Sequence, residues 1–77
     1  MSELILLGTD GCHLCEEAEY VLAEVGLLEH VKKQDIADSE QMVSTYGTRI
    51  PVLLDSATGD TLDWPFNRTS IINWLDD

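Results

Sequence analysis

The only two cysteines of the chain, Cys12 and Cys15, stand three positions apart in the segment GCHLCEE, just after a short apolar run. Thiols at this spacing are suited to thiol–disulfide exchange, because one sulfur attacks a disulfide and the other resolves the mixed disulfide. In this interpretation Cys12 is the nucleophile and Cys15 is the resolving thiol. The pair has three other possible interpretations.

A purely structural disulfide would close a loop too short to restrain the unfolded chain much. A zinc ion needs about four ligands, and the candidates Cys12, Cys15, His13 and His30 include a histidine confined between the two cysteines. An iron–sulfur cluster shared by two chains stays open, since one chain alone has too few thiolates. The pattern favours the redox couple, and the alternative is a non-enzymatic module that binds iron–sulfur or another metal through these thiolates, as a dimer.

The elements around the cysteines must be a strand before them and a helix after them. The run LILLG at 4–8 predicts a buried central strand, and apolar residues at helical spacing predict a helix from about His13 to Val25. Gly26 fits the position that ends this helix. At its N-terminus, free N–H groups and the helix dipole stabilise a thiolate at Cys12.

The remaining sequence predicts three more strands and two more helices. A polar strand at 29–36 suits a sheet edge, and a short helix capped by Asp38 follows it. The stretches PVLLD and TLD predict a hairpin around SATGD, and Asn67 caps the last helix. The order β-α-β-α-β-β-α predicts one α/β domain over residues 1–77, with a four-stranded mixed sheet and helices on both faces.

Charge and hydropathy limit the classes of partner. Fifteen acidic residues against four Lys and Arg give the 77-residue chain a net charge of −11, which repels nucleic acid and anionic lipid and attracts basic partners. The longest apolar run is far too short to span a membrane, and no signal-peptide pattern occurs. We expect a cytoplasmic protein without nucleic-acid or membrane partners, and we expect it to be a monomer.

A second signal is the segment TRIPVLL at 48–54, in which a proline begins a strand. The strand–CHLC–helix unit, followed further along the chain by RIPVLL, resembles the glutaredoxin branch of the thioredoxin-like superfamily from Leu4 to Leu75. More narrowly, CHLC with YGTRIPVLL and LDWPF resembles a small bacterial glutaredoxin-like group. The resemblance implies a thioredoxin-like, glutaredoxin-type fold and a cis Ile50–Pro51 peptide bond against the redox pair.

The same resemblance implies a substrate site and partners. It places Ile50 and Pro51 in the substrate site, with the backbone of Ile50 pairing with the bound substrate as an extra strand. The implied substrates are protein or mixed disulfides, and the implied electron donor is glutathione or a thioredoxin-reductase-like protein. No bound cofactor is expected, and glutathione is a candidate co-substrate.

Two departures from the glutaredoxin pattern weaken the case for glutathione. Thr9 and Asp10 stand where a Lys usually precedes the motif, and Trp64 to Asn67 stand where a Gly-Gly-x-x-Asp stretch is usual. Arg49 could still hold one glutathione carboxylate, or it is solvated or paired with one of the many acids.

Trp64 also has two interpretations. Its ring either packs beneath the last helix, or it exposes an apolar face beside Cys12 as a contact for a partner. Packing beneath the last helix is the favoured interpretation for Phe66, and His13 is expected to be a solvated residue on the rim of the motif.

Overall fold

The computed structural model describes residues 3–76, in which four strands form one sheet and three α-helices pack against it. In chain order the elements are β1 (Leu4–Gly8), α1 (His13–Glu24), β2 (Val31–Asp35), α2 (Glu40–Tyr46), β3 (Val52–Asp55), β4 (Thr61–Asp63) and α3 (Arg68–Asp76). This order confirms the predicted mixed α/β fold. None of the described helices is long and apolar enough to cross a membrane.

The sheet has the strand order β2-β1-β3-β4, so β1 lies in its interior, as the apolar run LILLG predicted. β1 pairs in parallel with β2 and antiparallel with β3, and β3 pairs antiparallel with β4. The parallel pair follows from the crossover through α1, and the second antiparallel pair follows from the turn at 56–58.

Alternate residues of the two central strands face two separate cores. Leu6 and Leu53 are opposite each other and pack on one face of the sheet against α1 and α3. The next pair, Leu7 and Val52, packs on the other face against residues of α2 and the turn before it. The helices therefore cover both faces of the sheet, as predicted.

The end of α1 is fixed by Gly26, which has φ +75°. Its N–H donates to the carbonyl of Ala23 at 3.1 Å, and the N–H of Leu27 donates to the carbonyl of Leu22 at 2.9 Å. This pair of hydrogen bonds forms a Schellman motif, in which glycine adopts the left-handed conformation without a Cβ clash. The predicted stop at Gly26 is confirmed.

The caps of the other helices follow the sequence less closely. The carbonyl oxygen of the Asn67 side chain accepts the N–H of Ser70 at 2.9 Å, which confirms the predicted cap of α3. The predicted cap of α2 at Asp38 is wrong, because Ser39 has extended backbone angles and its Oγ accepts the N–H of Met42 at 3.2 Å. The polar strand is also shorter than predicted: single 3₁₀ turns replace its two ends, and the carboxylate of Asp35 caps the second of them.

Candidate active site

The loop between β1 and α1 brings the two cysteines together. It contains a turn in which the N–H of Cys12 donates to the carbonyl of Thr9 at 3.3 Å. Gly11 has φ +76°, the left-handed conformation found at position i+2 of type II turns, which glycine adopts without steric cost. Cys12 then has extended angles of φ −81° and ψ 107° and is the N-cap residue of α1.

Cys12 and Cys15 form a disulfide bond, with their Cα atoms 5.2 Å apart. Their accessibility differs, because Cys15 is only 8% exposed whereas Cys12 is half-buried. The sulfur of Cys12 also accepts the N–H of Cys15 at 3.1 Å, in the place where an N-cap side-chain oxygen usually does so. The N-terminus of α1 therefore offers an N–H donor and the positive end of its dipole to the Cys12 sulfur, which favours a thiolate there after reduction.

The sulfur of Cys15 lies against the backbone of Gly8, the last residue of β1. A Cβ atom at Gly8 would come within 2.8 Å of this sulfur, so only glycine leaves room for it. The sequence alone did not indicate a role for Gly8 in the site. The available signal was a glycine ending a buried strand directly before the motif, since glycine in a strand often marks a close approach of another group.

Three strands meet at the end of the sheet next to the cysteine loop. Leu7 of β1 is opposite Val52, the first residue of β3, and Val52 is opposite Asp63, the last residue of β4. The residues just beyond these strand ends, Pro51 and Trp64, therefore lie at the same end of the sheet as the cysteine loop.

Pro51 and Trp64 are joined by a backbone hydrogen bond, in which the N–H of Trp64 donates to the carbonyl of Pro51 at 3.1 Å. Pro51 is fully buried, and Trp64 is half-buried with its ring edge-on to Phe66 at a centroid distance of 5.0 Å. Phe66 belongs to the core under α1 and α3, as predicted, and Trp64 packs against that core. The Ile50–Pro51 bond is cis, as the resemblance implied, and so is the Trp64–Pro65 bond, which was not predicted.

Ile50 has one of its two backbone groups already engaged. Its N–H donates to the carbonyl of Tyr46, the last residue of α2, at 3.0 Å. This leaves at most the carbonyl of Ile50 for pairing with a substrate strand. The role of Ile50 and Pro51 in substrate binding stays a prediction.

Arg49 is held by β4. Its Nε and one terminal nitrogen donate to the two carboxylate oxygens of Asp63 at 2.9 and 2.8 Å, and the same terminal nitrogen lies 3.3 Å from the hydroxyl of Thr61. The guanidinium also lies over the ring of Tyr46, 5.0 Å from its centroid. In the structure Arg49 is therefore paired with an acid, which is the second of its two interpretations. A glutathione carboxylate would have to displace Asp63 to bind Arg49.

The Arg49–Asp63 pair should make the free energy of unfolding depend on pH. The hydrogen bonds from Arg49 lower the pKa of Asp63 below its ordinary value of 3.8, so the pair contributes above that pH and is lost as the pH falls through the lower folded value. We expect Asp63→Asn to destabilise the protein in urea unfolding at about pH 7 and to have little effect at about pH 2.5. Asp60→Asn, in the exposed turn of the same hairpin, is the control, and an equal loss from Asp63→Asn at both pH values would contradict this prediction.

Comparison with known proteins establishes the family. The model of the Glutaredoxin-like domain (DUF836) matches residues 3–76. The chain belongs to this family. The resemblance inferred from CHLC and RIPVLL is thereby confirmed, and the glutaredoxin-like chain has a thioredoxin-like fold.

Solved structures similar to this glutaredoxin-like chain include proteins of X. campestris and Nitrosomonas europaea. The X-ray structure of protein XcR50 from X. campestris has 40% sequence identity and a TM-score of 0.85, with 95% of each chain covered. The solution structure of XcR50 has 39% identity and a TM-score of 0.83, covering 99% of this chain and 94% of that one. Protein Ne2328 from Nitrosomonas europaea has 25% identity and a TM-score of 0.80, covering 95% of this chain and 89% of that one. No curated protein matches the chain.

The polar rim of the motif in this glutaredoxin-like chain is solvated. His13 lies 3.8 Å from the carboxylate of Glu16, with 84% and 71% of the two side chains exposed, as expected for a rim residue.

Within residues 3–76, no group of three or more His, Cys, Asp or Glu side chains is placed to hold a metal ion.

Proposed function

We propose that this glutaredoxin-like chain is a thiol–disulfide oxidoreductase that reduces protein or mixed disulfides by a dithiol mechanism. The observation that carries the proposal is the disulfide between an accessible N-cap cysteine and a buried cysteine three residues on. The family match supports a thioredoxin-like redox role for this pair. The finer assignment of Cys12 as nucleophile and Cys15 as resolving thiol rests on their different accessibility and on the helix N-terminus at Cys12.

The cycle starts from the dithiol form. The Cys12 thiolate attacks one sulfur of the substrate disulfide, and the other substrate sulfur leaves as a thiolate that takes a proton from water. Cys15 then loses its proton and attacks the Cys12 sulfur, so the mixed disulfide breaks and the second substrate sulfur leaves and is protonated. Two electrons have passed from the protein to the substrate, and the protein ends with the Cys12–Cys15 disulfide.

The disulfide must then be reduced by two electrons from a thiol donor, which requires a reducing compartment such as the cytoplasm. Three cationic side chains are engaged by carboxylates: Arg49 by Asp63 at 2.8 Å, Lys33 by Glu19 at 3.0 Å, and Lys32 by Glu3 at 3.6 Å. Because glutathione carries two carboxylates that need cationic or N–H partners, this pairing favours protein disulfides as substrates and a protein dithiol of the thioredoxin-reductase-like kind as donor.

The test is to assay the chain against two substrates with two donors. Insulin and the mixed disulfide of glutathione with mercaptoethanol are each incubated with the protein and either glutathione with its reductase or a thioredoxin-reductase system. We expect faster reduction of insulin in the presence of the protein than in its absence. No acceleration with either substrate and either donor would overturn the proposal, and a visible absorbance band in anaerobically purified protein would support the metal-binding alternative instead.

A further inference from the structure

A solvent-open cavity of about 280 Å³ lies beside the buried cysteine, between β1, the cysteine loop, α1 and β2. Its lining residues include Gly8, Asp10, Cys15, Glu19, Lys33 and Asp35. A water molecule takes up roughly 30 Å³ in the liquid, so the cavity has room for several. Cys15 is buried, but it lines this cavity, so water that enters the cavity can reach the neighbourhood of its thiol.

Glu19 is the carboxylate best placed in this cavity. It stands four residues after Cys15, so both side chains lie on the same face of α1. Its carboxylate is held across the cavity by the ammonium of Lys33 on β2 at 3.0 Å, and its side chain is only 31% exposed.

The other charged groups of the lining are engaged or lie at the rim. Asp35 of β2 uses its carboxylate to accept the N–H of Ala37 at 2.8 Å. Asp10 lies in the exposed turn of the cysteine loop, and the remaining charged group, Lys33, is the partner of Glu19. β1 lines the cavity with Leu6 and Gly8, which carry no charge.

We propose that Glu19 accepts the proton of Cys15, through water in the cavity, when Cys15 resolves the mixed disulfide. This inference rests on the proposed dithiol function. A buried thiol ionises poorly. The N–H of Cys15, a donor in the first turn of α1, is directed to the Cys12 sulfur and not to the sulfur of Cys15. As the proton passes by way of water to the Glu19 carboxylate, the Cys15–Cys12 bond forms, the bond between Cys12 and the substrate sulfur breaks, and the leaving thiolate takes a proton from solvent.

The two steps can be followed separately with dithiodipyridine, a neutral disulfide that releases one thiopyridone in each step. The first equivalent reports attack by Cys12, and the second reports attack by Cys15. We expect Glu19→Gln to leave the first phase within about twofold of wild type and to slow the second at least about tenfold near neutral pH. A general base in direct contact typically contributes about 10²–10⁴-fold, and action through water is expected to give less.

The pH profile separates a proton role from a structural one. The second phase of Glu19→Gln should rise about tenfold per pH unit, because the thiolate fraction alone then sets its rate, whereas the wild-type profile should be shallower around neutral pH. Glu19→Asp should restore part of the rate. Lys33→Gln breaks the same ion pair but keeps the carboxylate, and should keep a profile close to wild type. Glu17→Gln removes one charge from the same helix outside the cavity and should leave both phases within about twofold.

The outcomes distinguish this inference from the proposed function. If Glu19→Gln and wild type show the same second phase across the pH range, Glu19 is not the acceptor, and the dithiol mechanism stands. If Lys33→Gln slows the second phase as much as Glu19→Gln does, the effect belongs to the ion pair and the inference is wrong. If Cys15→Ser still releases both equivalents, the dithiol mechanism itself is wrong.

Discussion

Cys12→Ser should abolish disulfide reduction, whereas Cys15→Ser should preserve the first attack and trap mixed disulfides with substrates. Cys12 is half-buried, and its sulfur accepts an N–H at the N-terminus of α1. Cys15 is only 8% exposed, so we expect it to attack a mixed disulfide already formed on Cys12 rather than the free substrate. In the reduced wild-type protein, iodoacetamide should therefore label Cys12 well before Cys15. The measurements are insulin reduction, and mass spectrometry of covalent adducts after incubation with a disulfide substrate.

The double variant Cys12→Ser/Cys15→Ser is the control for adducts that do not depend on the motif. Equal alkylation rates of the two cysteines in the reduced wild type, or adducts formed by Cys12→Ser but not by Cys15→Ser, would reverse the assignment of nucleophile and resolving thiol.

Gly8→Ala should destabilise the disulfide form of the protein and make the cysteine couple more oxidising. The added Cβ would come within 2.8 Å of the Cys15 sulfur, and overpacking of this kind typically costs about 1–3 kcal/mol. The disulfide fixes the sulfur, whereas a free thiol can turn to another rotamer, so the cost falls mainly on the oxidised form. At about 30 mV per 1.4 kcal/mol, the reduction potential should rise by about 20–60 mV.

The measurements for Gly8→Ala are urea unfolding of the oxidised and reduced forms and equilibration against a thiol redox buffer. A double-mutant cycle with Cys15→Ala supplies the control, because the clash requires the sulfur and the effect of Gly8→Ala should nearly vanish without it. An undiminished effect in the Cys15→Ala background would show that Gly8 is needed for the strand rather than for the cysteine.

The parts of the fold that follow from local sequence were predictable. The apolar run of β1, the helical spacing of α1 and the glycine that ends it each determine an element within a few residues, and the cysteine spacing fixes the two sulfurs on one helical turn. Asp38 and Ser39 show where local reasoning fails, since both are good N-cap residues and only the backbone angles decide between neighbours.

The contacts that shape the candidate site were not predictable, because their partners are distant in sequence. Arg49 meets Asp63 across the hairpin, and Lys33 meets Glu19 from another strand. Each of these acids was one of fifteen in the chain, and no local pattern selects it. The approach of Gly8 to Cys15 likewise exists only once the helix packs on the sheet.

The hydrogen bond from the N–H of Ile50 to the carbonyl of Tyr46 closes the turn that follows α2, and the N–H of Arg49 donates to the same carbonyl at 2.8 Å. A substrate strand that pairs with both backbone groups of Ile50 has to take this N–H away from Tyr46, so part of its binding energy is spent on opening the turn after α2, while the Tyr46 carbonyl keeps the N–H of Arg49. A strand that pairs with the carbonyl alone leaves the turn intact. Hydrogen exchange at the Ile50 amide in the trapped complex tells the two modes apart, because the amide changes its acceptor from Tyr46 to the substrate only in the first.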